Sequence, residues 1–92
     1  MGTFFLFGKY TPDALAKVTA ARTDEVRKLI RDKGGVVREV YALLGQQDLV
    51  IIIDAVGIVE AMEISIALSR LTGINFSTCP ALEASDFDRI AG

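Results

Sequence analysis

Apolar residues in this chain alternate between two periods. Thr3 to Lys9 is a β-rich apolar run, and Tyr10-Thr11-Pro12-Asp13 ends it. Thr11 is suited to cap a helix whose first position is Pro12, where a missing N–H costs nothing. Leu15, Val18, Val26, Leu29 and Ile30 then mark one helical stripe up to Gly34-Gly35, with a break and recapping expected near Thr23. Val36 to Leu44 and Leu49 to Asp54 read as two strands joined by the short polar stretch Gly45-Gln46-Gln47-Asp48, a hairpin in which Gly45 is expected to supply a positive φ. Gly57 to Thr72 has helical spacing, Gly73 stops it, Ile74 to Leu82 reads as a last strand, and Ser85-Asp86-Phe87-Asp88 opens a short helical turn.

The order βαββαβ without long loops predicts an α+β, ferredoxin-like fold: a four-stranded antiparallel sheet with two helices on one face, in a single domain over residues 1–92. An even-numbered turn places Val40, Ala42 and Leu44 on one face with Leu49, Ile51 and Ile53, the face under the helices. Glu39, Tyr41 and Leu43 then share the opposite face with Asp48, Val50, Ile52 and Asp54. That second face mixes carboxylates, a phenol and aliphatic groups, and nothing in the chain is left to cover it. In the second helix Ala61, Ile64, Leu68 and Leu71 suit the core, while Ile58, Val59, Met62 and Ile66 widen the apolar surface beyond one stripe. Both features predict self-association as a homodimer or higher even oligomer.

Composition sharpens this picture. A chain of 92 residues that is 51% hydrophobic holds more apolar surface than one small core can hide. The longest apolar run, Leu49 to Val59, is interrupted by Asp54 and is too short to span a bilayer, so no membrane association is expected. The amino terminus lacks the charge and cleavage pattern of a signal peptide, which predicts a cytoplasmic protein. Charge is uneven: residues 1–38 carry eight Lys/Arg against four Asp/Glu, and residues 39–92 carry two against eight. With a pI near 5.0 and the basic residues interleaved with Asp24, Glu25 and Asp32, this reads as a solvated helix face and not as a nucleic-acid surface.

Histidine is absent and cysteine occurs once, at Cys79. Histidine-based triads, His-ligated haem and internal disulfides are excluded, and neither metal nor other cofactor is expected. Asp48 suits a turn by bonding nearby N–H groups, and is also the sharpest ligand-binding candidate. Glu39, Tyr41 and Asp54 form the other candidate set, where adjacent carboxylates would raise one pKa and make a base. The alternative is inter-subunit hydrogen bonding. Asn75, Ser77 and Cys79 alternate on the last strand and are expected to join that face, with Cys79 a packed thiol without a base to activate it. Lys9 and Tyr10 suit either solvent or an anionic ligand.

Three segments carry a resemblance: Gly8-Lys9-Tyr10-Thr11-Pro12, the hairpin Leu44 to Val50, and the stretch from Gly73 through Phe87. Together they resemble the GYD-domain family of small bacterial and archaeal proteins along essentially the whole chain. Gly45 and Asp48 match the family's hairpin motif, while Gln47 stands where its tyrosine is expected; Asp54-Ala55-Val56-Gly57 also departs from the family's polar helix start. The resemblance implies a ferredoxin-like fold related to the dimeric α+β barrels, and no established activity. A ligand-sensing or assembly module, a cofactor-free oxygenase or isomerase using an interface cavity, and a purely structural oligomer all remain open.

Overall fold

A computed structural model describes residues 1–92. The elements are β1 (Gly2–Lys9), α1 (Pro12–Ala16), α2 (Ala20–Asp32), β2 (Val36–Ala42), β3 (Leu49–Ala55), α3 (Ile58–Thr72), β4 (Asn75–Ala81) and α4 (Ala84–Ala91). The four strands form one antiparallel sheet in the order β2-β3-β1-β4, the ferredoxin-like arrangement. Parity follows from the register. Phe4, Leu6, Leu49, Ile51 and Ile53 face the helices and form the core with Val26, Ile30, Ala61, Ile64 and Leu68.

The first helical stretch is two helices. Thr11 caps α1 by accepting from the Ala14 N–H at 3.1 Å, as its position before Pro12 predicts. The recapping falls at Thr19, whose hydroxyl accepts from the Arg22 N–H at 3.1 Å, and not at Thr23. The Thr23 hydroxyl instead donates back to the Thr19 carbonyl, a bond available inside a helix. Gly34, at φ +82°, ends α2. Gly35 lies so close to Ile30 and Ile64 that an added Cβ would sit 2.9–3.0 Å from their methyl groups, so the chain passes here only without a side chain.

Several burial expectations are corrected. Leu44 is wholly exposed, because β2 ends at Ala42 and residues 43–48 form the loop. Ala42 is also exposed, leaving Val37 and Val40 as the β2 residues packed on the core. Leu71 is exposed while Thr72 is buried, its hydroxyl donating to the Leu68 carbonyl at 2.8 Å and accepting from the Ile74 N–H. Val50, on the open face, is buried within the subunit because it lies in one cross-strand row between Phe7 and Tyr41. Gly45 does not take a positive φ; only Gly34 and Gly73 do.

The sheet edges each carry an irregularity. β2 has a bulge between Val37 and Glu39 that makes Arg38 an extra residue. β4 holds Pro80, opposite Phe4.

Candidate functional site

The sheet face away from the helices is built from three cross-strand rows. Tyr41, Val50, Phe7 and Ser77 form one; Glu39, Ile52, Phe5 and Cys79 the next; Val36, Asp54, Thr3 and Ala81 the third. Its centre is therefore apolar, since β1 and β3 contribute Phe5, Phe7, Val50 and Ile52. The Phe5 and Phe7 rings lie 6.1 Å apart, tilted by 43°, within the range in which aromatic pairs attract. Tyr41 and Cys79 are exposed on either side of this floor, so Cys79 is not the packed thiol expected from the sequence. Sequence reading missed Phe5 and Phe7. Alternation within β1 separates them from Phe4 and Leu6, but every position from Phe4 to Phe7 is apolar, so polarity does not reveal which face is which.

Asp54 closes one end of the face. Its carboxylate accepts from Arg38 Nη1 at 2.7 Å and from Thr3 Oγ1 at 2.9 Å. The Arg38 hydrogen bond first, and the Thr3 bond second, hold the Asp54 carboxyl below its ordinary range, outweighing partial burial; the Arg38 guanidinium is raised in turn by the same partner. The expectation of a carboxylate raised to serve as a base is thus corrected at Asp54. The β2 bulge supplied the missing ingredient: it places Arg38 out of the alternation, beside Asp54. A hollow of about 360 Å³ lies here, lined by Thr3, Phe5, Arg38, Glu39, Ile52 and the Ala81–Glu83 segment.

Asp48 sits at the other end of β3. Its backbone N–H donates to the Gly8 carbonyl at 2.8 Å, its carbonyl accepts from the Leu43 N–H at 2.8 Å, and its carboxylate accepts from the Tyr10 N–H at 2.8 Å. The side chain thus continues the β1–β3 ladder beyond its last pair. Lys9 Nζ donates to the Gln46 carbonyl at 3.1 Å, tying the same loop to β1. Tyr10 packs on the core. Six residue steps along the strand separate Asp48 from Asp54, about 20 Å. Glu39, Tyr41 and Asp54 share the open face, and Asp48 stands apart from them. No three His, Cys, Asp or Glu side chains converge as a metal site.

A second concavity lies on the helix side, between α3 and the β4 edge. It measures about 310 Å³ and is lined mainly by Phe4, Ile58, Met62, Ile66, Phe76 and Pro80.

The GYD-domain family model matches residues 4–91. The chain belongs to that family, and the hairpin carrying Gly45, Gln47 and Asp48 lies inside the match. No curated protein matches the chain.

Proposed function

We propose that this GYD-domain chain is a subunit of a face-to-face homodimer, or higher even oligomer, that binds a small, largely apolar molecule between its sheets. The observation that carries this reading is the open face itself: an aromatic and aliphatic floor of Phe5, Phe7 and Ile52, flanked by exposed Tyr41 and Cys79 and closed at one end by the Asp54–Arg38 pair. Covering about 600 Å² of such surface on each subunit, about 1,200 Å² in all, at about 25 cal/mol per Å² supplies roughly 30 kcal/mol before association costs, and that area falls at the lower end of the range of stable interfaces. A binding and sensing role is favoured over catalysis because the ionisable groups on the face are either spent in a mutual ion pair or isolated, with no nucleophile–base pair in hydrogen-bond reach.

Native mass spectrometry of protein purified from its source organism tests this. A dimer carrying a retained organic molecule, lost on Phe5→Ala, is the expected result. A folded monomer at micromolar concentration refutes the assembly, and a dimer that never retains or binds any apolar compound refutes the binding role.

A further inference from the structure

β4 turns Phe76, Thr78 and Pro80 toward the helices at alternate positions, and α3 meets them with Met62 and Ser65. The concavity of about 310 Å³ between them is walled by the Phe4 and Phe76 rings, the Met62 thioether and the Pro80 ring, and no charged side chain lines it. Its side-chain polarity is confined to one place. Thr78 Oγ1 donates to Ser65 Oγ at 2.8 Å, joining strand to helix. Two hydroxyls bring two hydrogens, and this bond uses one. Hydroxyls inside helices commonly return their hydrogen to the carbonyl four residues back, as Thr23 and Thr72 do here. Ser65 makes no such bond, so its hydrogen has no acceptor in the chain.

We propose that this groove is a second small-molecule site, which takes a neutral aryl carbonyl compound whose oxygen accepts from the Ser65–Thr78 hydroxyl pair. Two aromatic rings and a thioether favour a flat π-system. With no counter-ion in the lining, a charged group would lose its hydration without compensation. One spare O–H matches one acceptor, and an apolar wall with a single fixed polar point is the usual make-up of a ligand pocket. At about 30 Å³ each, the share of a water in the liquid, the space holds on the order of ten non-hydrogen atoms. The groove lies across the sheet from the Phe5–Phe7 floor and is complete within one subunit, so it does not depend on assembly.

The test titrates the full chain with acetophenone by NMR, with α-methylstyrene, in which a CH₂ group replaces the carbonyl oxygen, and benzoate as controls. Acetophenone should shift the Met62 methyl and Phe76 ring signals with a dissociation constant of about 1 mM or lower, and benzoate should bind at least ~10-fold more weakly. Ser65→Ala alone frees the Thr78 hydroxyl to donate and should retain most of the affinity. Ser65→Ala with Thr78→Val leaves the carbonyl unpaired and should raise the acetophenone constant about fivefold or more, while α-methylstyrene binds as well as before or better. Phe5→Ala should leave the acetophenone constant unchanged, so this site and the open-face site stand or fall separately. The proposal is overturned if the parent's shifts fall on Phe5 and Phe7 instead, if benzoate binds equally well, or if the double variant affects both neutral probes alike. Contacts between Phe87 and Met62 in the probe-free protein would also overturn it, by showing the groove taken by the chain's own α4. The parent's shift map needs no variant and decides the location even if the double variant fails to fold.

Discussion

Ile51 and Ile52 are neighbours of identical chemistry on opposite faces of β3, which makes them a matched pair for separating subunit stability from assembly. Ile51 is 1% exposed and lies between Leu6 and Val40 in register; Ile52 is half-buried between Phe5 and Glu39. Ile51→Ala removes three carbon groups at about 0.8 kcal/mol each, roughly 2.4 kcal/mol of transfer free energy. A residual void of about 60 Å³ at about 24 cal/mol per Å³ adds roughly 1.4 kcal/mol, so the loss should approach 4 kcal/mol. Ile52→Ala should cost the isolated subunit about 1 kcal/mol or less, because its side chain still touches water, but should weaken the dimer by about tenfold or more. Urea unfolding at several protein concentrations distinguishes the two. The Ile51 loss persists at concentrations too low for the dimer, whereas the Ile52 loss grows as concentration rises into the dimeric range. If both substitutions destabilise a folded monomer equally, with no dependence on concentration, the assignment of the open face as an interface fails.

Three further outcomes follow from single contacts. Arg38→Ala removes the main group lowering the Asp54 carboxyl. Because that carboxyl is depressed in the folded state, its contribution is present above the ordinary aspartate range and fades as pH falls through the folded value; Arg38→Ala should therefore reduce stability near pH 7 and flatten the acid limb, as read by thermal melts from pH 7 to 2. Asp48→Asn should stay close to the parent, since an amide oxygen can still accept from the Tyr10 N–H, while Asp48→Ala should cost about 1–3 kcal/mol in chemical denaturation; equal losses in both would show that the charge matters. Gly35→Ala should cost roughly 1–3 kcal/mol, because its Cβ would press on Ile30 and Ile64; an unchanged melting temperature would show that the core yields there.

The element order and the two faces of the β2–β3 hairpin were legible in the sequence because alternation and glycine punctuation are local signals. What escaped depends on non-local pairing or on choices between equivalent residues. Threonines at 19 and 23 are both competent caps, and only the Arg22 N–H geometry selects Thr19. Val50 looked exposed because its cover comes from Phe7, forty-three positions away in sequence and adjacent in register. The Asp54–Arg38 pair depends on a bulge that shifts alternation by one, which residue periodicity does not announce. Leu44 continues the apolar rhythm of β2, yet the Leu43 N–H already closes the loop on the Asp48 carbonyl and Leu44 lies beyond it. Among the candidate residues, Glu39, Tyr41 and Asp54 fall on one face as their parity predicts, while the carboxylate of Asp48 is bound to the β1 backbone.

The irregular edge strands restrict how such sheets propagate. β2 breaks its hydrogen-bond rhythm at the bulge and displays Arg38 and Glu39, and Pro80 withholds an amide from β4. Neither margin offers a straight row of donors and acceptors to an incoming strand, so lateral polymerisation into a fibre is blocked on both sides. The apolar floor of Phe5, Phe7 and Ile52 faces perpendicular to those margins, so any contact it makes is face-on and not edge-to-edge.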